Sequence, residues 1–272
     1  MRQIGAAVNR ATMARKQPGG NNVETMDKSR DRNRKKATRP GRHRTNPSGD
    51  RRRLEALRRE DQIVKAAIRF FAEVGFGGQT RELARRIGIT QPLLYRYFPS
   101  KERLIERVYR EVYLRRWNPD WETLIADRSL TLEERLTRFY RAYARAIFNY
   151  EWVRIFVFSG MRGVGINRRY LRIVRERLLK PICREIRAEA GLPDFTAVPL
   201  TSAELELAWS LHGGFFYMAV RKWIYRLPIP KDLDGTIARE AQTFAYGAPL
   251  VVKKILASAR SRPAVKRTTS WT

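Results

Sequence analysis

Four side chains that can make hydrogen bonds follow one another within seven residues: Gln91, Tyr95, Arg96 and Tyr97. A glutamine can make a bidentate bond to adenine or a single bond to another base edge. Tyrosine and arginine side chains are good donors to phosphate oxygens. The chemistry that these residue types favour is therefore recognition of nucleic acid, with no bond made or broken.

The surrounding sequence, ELARRIGITQPLLYRYFPSKERL over residues 82–104, contains the elements that would position these side chains. Its apolar residues fall on the inward faces of two crossing helices; they are Leu83, Ala84, Ile87, Ile89, Leu94 and Phe98. Ala84 is small enough for the second helix to cross the first, and Gly88 can supply the positive φ of the turn between them. Leu94 is expected to fill the angle. This pattern predicts a helix-turn-helix whose second helix, residues 91–97, lies in the DNA major groove.

Capping signals mark the helix ends. Thr90 occupies the position of an N-cap, and Pro92 falls in the first turn, where a missing N–H costs nothing. Ser100 caps the next helix and Lys101 lies in its first turn. The exposed N–H groups of that helix start predict a phosphate-binding position.

These residues, together with the upstream segment IVKAAIRFFAEVGF, resemble the DNA-binding domain of TetR-family transcriptional regulators. The resemblance covers residues 54–109, and LYRYFPSKE is its most specific part. It implies that nine side chains face DNA: Thr80, Arg81, Thr90, Gln91, Leu93, Tyr95, Arg96, Tyr97 and Lys101. Leu93 is apolar, so we expect it to contact a thymine methyl group.

The charge of the chain agrees with a polyanionic partner. The 272 residues include 56 Lys and Arg against 27 Asp and Glu, a net charge of +29, which favours nucleic acid first and an acidic membrane surface second. Residues 1–50 are predicted to be a disordered basic tail, either simply solvated or an arm that attracts phosphates. Its end, Arg51 to Arg53, is the part expected to touch DNA. Residues 259–272 are predicted to be a second disordered basic tail.

Composition argues against several other classes of protein. A single cysteine, Cys183, allows no disulfide within the chain, which suits the cytoplasm. Two histidines are too few for a histidine metal site, so we expect no metal and no cofactor. No phosphate loop, paired-histidine motif or nucleophile elbow is present, so the chain is not expected to be an enzyme. The longest weakly charged run, residues 207–220, is too short to span a membrane, and no secretory signal is visible.

The predicted fold is all-α, with an N-terminal three-helix helix-turn-helix domain (51–99) followed by a C-terminal helical-bundle domain for ligand binding and dimerisation (100–258). The apolar spacing predicts helices over 54–74, 100–117, 132–150, 152–158, 167–190, 202–225 and 233–258. Thr131 with Glu134 forms a predicted capping box. Pro181 is expected to kink its helix, and residues 118–130 are predicted to be a loop or short turns.

The last two helices, 202–225 and 233–258, are apolar on more than one side. Such helices are buried on both sides. They can be ordinary core helices, or they can form a four-helix interface with a second subunit. The pattern alone does not separate these interpretations, but the TetR-family resemblance implies a homodimer formed in this way.

The helical body is rich in aromatic residues, and most of them are expected to form its core. A ligand site needs an apolar cavity with a few polar groups. Residues from different helices that could converge on such a cavity are Trp117, Tyr143, Trp152, Phe156, Trp209 and His212. These are the predicted ligand-binding residues, although His212 taken by itself fits a buried, hydrogen-bonded histidine better.

The sequence therefore predicts a ligand-responsive, sequence-specific DNA-binding regulator that binds a palindromic operator as a dimer. The family resemblance implies repression, with an unidentified small molecule as effector. One alternative is a basic protein that coats nucleic acid without sequence preference. Another is a helical enzyme that acts on an acidic substrate.

Overall fold

The structure, a computed structural model, describes residues 47–260, and every regular element in this range is helical. The helices are α1 (Pro47–Val74), α2 (Thr80–Arg86), α3 (Gln91–Tyr97), α4 (Lys101–Tyr109), α5 (Asp120–Ala126), α6 (Leu132–Ile147), α7 (Tyr150–Met161), α8 (Ile166–Val174), α9 (Lys180–Glu189), α10 (Ser202–Trp223) and α11 (Leu233–Arg260). No β-strand occurs within 47–260. The prediction of an all-α fold is confirmed.

The first four helices form the head of the molecule. Helix α1 packs against α2 and α4 on one side and against α7 of the body on the other. Its core residues include Phe71, whose ring stacks on Phe76 with centroids 5.0 Å apart. Val74, whose three- and four-residue spacing from Phe71 and Phe70 predicts a core position, is instead 44% exposed. It lies in the last turn, where Gly75 (φ +72°) ends the helix.

Helix α1 begins at Pro47, seven residues before the predicted start at Leu54, so the end of the predicted 1–50 tail is helical. Proline is well placed at a first helical position, and the arginines, leucines, glutamate and alanine that follow are strong helix formers. The remainder of that tail lies outside the described residues. At the other end α11 continues to Arg260, two residues past its predicted limit. Residues 261–272 are again outside the described range.

Residues 118–130, predicted to be a loop or short turns, contain helix α5. The Asn118 side chain accepts a hydrogen bond from the Asp120 backbone N–H at 2.9 Å, which starts the helix. Trp121 and Ile125, four residues apart, are buried on its inner side. Their burial supplies the stabilisation that a seven-residue helix lacks on its own.

The long helix predicted over 167–190 is divided. Helices α8 and α9 are joined by a π-helical turn, Arg175–Leu179, directly before Pro181. Proline has no N–H to continue an α-helical ladder, and the wider turn absorbs this interruption. A second π-helical turn, Arg110–Leu114, extends α4.

Helices α5 to α11 form the body, in which α6, α9, α10 and α11 pack around a common core. Both α6 and α10 begin with capping boxes, Thr131 with Glu134 as predicted and Thr201 with Glu204. Glu204 also pairs with Arg187 at 2.6 Å, and both side chains are 1% exposed. Among the described helices, none is both long enough and apolar enough to cross a membrane.

Candidate nucleic-acid interface and effector site

The turn between α2 and α3 is built by backbone hydrogen bonds. The N–H of Ile89 donates to the carbonyl of Ala84 at 3.0 Å, and the N–H of Gly88 donates to Arg85 at 3.2 Å. Gly88 has φ +66°, a conformation that side chains with a Cβ rarely adopt. Ala84 and Leu94 are buried between the helices. The turn thus has the form that the sequence predicted.

The start of α3 also follows its local sequence. The Thr90 hydroxyl accepts a hydrogen bond from the Leu93 backbone N–H at 3.3 Å, and Pro92 lies in the first turn. Leu94 is the one fully buried residue among the seven of the helix. The face of α3 opposite Leu94 is available to a partner, since Tyr95 and Arg96 are exposed there.

Tyr95 and Arg96 are the exposed side chains of α3 among those predicted to face DNA, whereas Gln91, Leu93 and Tyr97 are half-buried. Thr90 before the helix and Arg81 on α2 are exposed. Among the described residues, no carboxylate forms an ion pair with Arg81 or Arg96. These two guanidinium groups are therefore available for phosphates.

Thr80 joins three of the predicted residues into one network. Its hydroxyl lies 2.9 Å from the Tyr95 hydroxyl and accepts a hydrogen bond from the Gln91 amide at 3.2 Å. Thr80 itself is buried. Its position indicates that it orients Gln91 and Tyr95 across the α2–α3 angle, which is a different task from direct contact with DNA.

Lys101 has protein partners. Its ammonium group donates to the backbone carbonyls of Phe76 at 2.6 Å and Gly78 at 2.8 Å. These carbonyls belong to the link between α1 and α2, so Lys101 ties the start of α4 to that link. The family resemblance placed this side chain at DNA. In the free protein its ammonium group instead binds backbone carbonyls within the head.

The other basic residues of α2 are paired. Hydrogen bonds from Arg85 and Arg86 lower the pKa of Glu82 to about 2. Arg86 also pairs with Glu73 of α1 at 2.5 Å. Pairing reduces the field of these two arginines, which sharpens the contrast with the unpaired Arg81 and Arg96.

The six residues predicted to bind a ligand lie in one continuous aromatic cluster of the body. Ring centroids connect them through Trp121 and Tyr170: Trp117–Trp121 5.4 Å, Trp121–Tyr143 5.4 Å, Trp117–Tyr170 6.3 Å, Trp152–Tyr170 5.4 Å, Trp152–Phe156 5.1 Å, Tyr143–His212 5.0 Å and Trp209–His212 5.9 Å. We call these eight residues, the six predicted ones together with Trp121 and Tyr170, the aromatic cluster. Several different stretches of the chain contribute to it.

Tyr143 is the polar centre of the cluster. Its hydroxyl lies 3.1 Å from the Tyr170 hydroxyl and 3.3 Å from Nε2 of His212. Burial lowers the pKa of His212 to about 4, so the imidazole is neutral at pH 7. Within the described part of the chain, His212 Nδ1 and Trp117 Nε1 have no hydrogen-bond partner. Buried polar atoms without a partner are rare and call for an explanation, and a bound ligand that supplies the partner is one.

Sequence reasoning missed Tyr113 and Tyr170, which lie at the middle of the cluster. Tyr113 donates its hydroxyl hydrogen to the Trp152 carbonyl at 3.1 Å, and its ring is 5.3 Å from Tyr170. A signal was present, since Tyr109, Tyr113 and Trp117 recur at four-residue steps. The same spacing also describes an ordinary core stripe, so it did not distinguish ligand-binding aromatic residues from core aromatic residues.

Cys183 is buried in α9, and its thiol contacts the Glu204 carbonyl at 3.4 Å. Burial raises the pKa of this thiol to about 12. The side chain is therefore a thiol at neutral pH, and it has the environment of a structural cysteine.

Helices α10 and α11 carry an apolar groove on their outer side. Its volume is about 460 Å³, and its lining includes Leu207, Leu211, Gly214, Phe244 and Val251. Tyr217, Tyr246 and Leu250 are large exposed side chains of the same two helices. The helices predicted for the dimer interface are thus apolar on the inside and partly apolar outside.

The sequence of residues 63–108 matches the profile of bacterial regulatory proteins of the tetR family. No curated protein sequence matches the chain. Among solved structures, a TetR-like transcriptional regulator from Rhodococcus sp. RHA1 is similar at 19% identity, over 69% of this chain and 93% of that one, with a TM-score of 0.51. A putative TetR-family regulator from Mesorhizobium loti is 18% identical over 72% of this chain and 97% of that one, with a TM-score of 0.48.

The likeness to the Rhodococcus protein shows a shared fold. The profile match falls on α1 to α4, the part that carries the turn, the cap and the exposed side chains described above. Residues 63–108 of this chain are therefore similar to the bacterial regulatory proteins of the tetR family.

Proposed function

We propose that the chain is a ligand-responsive transcriptional regulator, a repressor by default, that acts in the cytoplasm and binds a palindromic operator as a homodimer. The observation that carries the proposal is the helix-turn-helix. Helix α3 is anchored through one buried residue and presents Tyr95 and Arg96 to solvent, with Arg81 beside it. These side chains can hold phosphates and fix the register, while Gln91 of the same helix can read a base edge in the major groove, which supports sequence-specific binding.

The direct test is selection of bound sites from a random duplex DNA pool at about 0.15 M salt with excess nonspecific competitor, since salt sets nonspecific affinity. The expected result is a palindrome whose half-sites lie about 34–36 Å apart or a multiple of that distance. Recovery of no motif, with binding lost at that salt, would instead favour the alternative of a basic nucleic-acid-coating protein.

Variants of α3 then test the side chains. Tyr95→Ala and Arg96→Ala are expected to weaken binding to the selected duplex while the helical circular dichroism is unchanged. Tyr97 is half-buried against the core, so Tyr97→Phe removes its hydroxyl and keeps its packing. Arg172→Ala, an exposed arginine of α8, is the matched control. If all three α3 variants bind with wild-type affinity, the assignment of this helix to the major groove is refuted.

For the effector response we propose the aromatic cluster as the ligand site. Tyr113, in the π-helical turn after α4, connects the cluster to α4, the last helix of the head. Trp152 and Phe156 of α7 belong to the cluster, while Arg154 of the same helix donates to the Ala72 carbonyl of α1 at 2.5 Å. A ligand that favours one arrangement of α4 and α7 would shift the population of head positions.

The selected duplex provides the probe for this response. A library of small aromatic compounds is scored by release of the labelled duplex, measured by fluorescence anisotropy. A compound that releases wild type is then tested on Tyr143→Phe, which keeps the ring and removes the central hydroxyl. We expect unchanged operator affinity without compound and a weaker response with it. An equal response would exclude Tyr143 from the ligand site.

For the dimer we propose the outer groove of α10 and α11 as the interface. Val251→Lys places a charge in the groove and Leu250→Lys places one beside it. Both are expected to give a monomer by sedimentation, since a buried unpaired charge is costly. Met161→Lys, at an exposed methionine of α7, is the control. A Leu250→Lys, Val251→Lys protein that still sediments as a dimer would place the interface elsewhere.

A further inference from the structure

Helix α1 extends well beyond the core of the head. Ile63 is the first fully buried residue of α1 among the described side chains, so residues 50–62 form an overhang. At 1.5 Å per residue this segment is about 20 Å long. Leu54 and Leu57 on it are 57% and 50% exposed. Because the overhang covers little of the core, it is free to bind a partner. Its charged residues indicate what kind of partner that is.

Three of the four acidic groups of the overhang are occupied, and the fourth, Asp50, has no ion pair among the described residues. Glu55 pairs with Arg51 at 3.5 Å. Glu60 and Asp61 both face Arg107 of α4, at 3.5 and 3.4 Å. Four arginines have no acidic partner among the described residues: Arg52, Arg53, Arg58 and Arg59. The overhang therefore keeps an uncompensated positive charge.

Part of this positive charge faces α3. Arg52, Arg58 and Arg59 line a groove of about 550 Å³ whose opposite side is formed by Arg96 and Tyr97 of α3. Arg52 and Arg59 are seven residues apart, so they lie on the same side of α1. The groove thus joins the overhang to the end of the helix that we assign to the major groove.

We propose that this groove binds backbone phosphates of the duplex next to the bases that α3 reads, so that α1 extends the DNA contact outward from each half-site. The inference rests on the proposed function and adds a second contact surface to it. Four guanidinium groups line the groove, against one carboxylate, Glu55, which is paired with Arg51. The net positive charge suits a phosphate strand. Successive phosphates advance by about 3.4 Å along the axis of each strand, so the overhang is long enough to follow several of them.

The test is the salt dependence of binding to the selected operator. The double variant Arg52→Gln, Arg59→Gln removes two charges and keeps good helix formers. Its control is Arg168→Gln, Arg172→Gln, two exposed arginines four residues apart on α8. We expect the slope of log K against log salt to become shallower by about 0.9 for each phosphate that the variant no longer neutralises, and to be unchanged in the control.

DNA length adds a second measurement. We expect wild type to bind a duplex cut back to the palindrome more weakly than one with flanking base pairs, and the overhang variant to bind the two alike. If the variant keeps the wild-type slope and length dependence, the inference is overturned while operator binding stands. If its oligomeric state changes with no change of slope, the overhang contacts a second copy of the chain and the inference is again overturned. If no operator is selected, it is the proposed function that fails.

Discussion

Replacing Lys101 with methionine separates two roles for this side chain. Its ammonium group donates to the Phe76 carbonyl at 2.6 Å and to the Gly78 carbonyl at 2.8 Å. A hydrogen bond to a charged group contributes about 1.5–3 kcal/mol. Lys101 is only half-buried, and water can reach part of the site. We therefore expect Lys101→Met to lower the free energy of unfolding by about 2–3 kcal/mol, at or below the low end for two such bonds.

Urea unfolding followed by far-ultraviolet circular dichroism measures this change. With a slope of about 2–3 kcal/mol per molar urea, the midpoint should fall by about 1 M. Lys231→Met, at an exposed lysine of the α10–α11 loop, is the matched control and should leave the midpoint unchanged. A phosphate-binding role predicts the opposite pattern, namely an unchanged midpoint and a salt slope that is shallower by about 0.9. That pattern would refute the structural role of Lys101.

Two further predictions concern the body and the α1–α2 link. Burial opposes ionisation of Glu204, but hydrogen bonds from Arg187 and Thr201 outweigh it and hold its pKa below the usual value. A lowered pKa adds stability above the unfolded value of about 4.3, and that stability is lost as the pH falls through the folded value. Glu204→Gln should cost about 3–5 kcal/mol at pH 7, because Arg187 is left buried without its charge partner, and should flatten the pH dependence of urea unfolding below pH 5. An equal loss at pH 7 and pH 3 would contradict this. Gly78→Ala should cost about 1–3 kcal/mol, because its Cβ would lie 2.6 Å from the buried Phe70 ring. In the neighbouring Gly77→Ala, the Cβ meets only the end of the Arg162 side chain, so equal midpoints for the two variants would refute the argument.

The start and end of α3 could be predicted from the sequence to the exact residue, because the signals for them are local. Thr90, Pro92 and Gly88 act on backbone groups within four positions of themselves, and the structure places the cap and turn where those signals lie. Helix α5 shows the limit of the same method. Pro119 indicated an interruption after the preceding helix, and only two inward apolar residues, Trp121 and Ile125, indicated a further helix. Their contribution comes from burial against other helices, which a window of sequence does not contain.

The candidate site divides along the same line. Hydrogen-bonding residue types on α3 indicated DNA, and aromatic residues on several helices indicated a cluster. Sequence alone did not place Tyr170 at the middle of that cluster, because core and site aromatics share one helical spacing. It also did not show that Thr80 is buried beneath Gln91 and Tyr95.

By itself, the sequence determined the helical class, the turn between α2 and α3, the caps of α3, α4 and α6, and the basic character of the chain. These depend on residue type and on neighbours within one or two helical turns. The tertiary structure decided the hydrogen-bond partners of Lys101, which lie 23 and 25 residues away in the sequence. It also decided the contact between the Tyr143 hydroxyl and His212, which are 69 residues apart. It also placed Arg52 and Arg59 beside Arg96. Such contacts form only when helices pack, and packing depends on the shapes of all the buried side chains together.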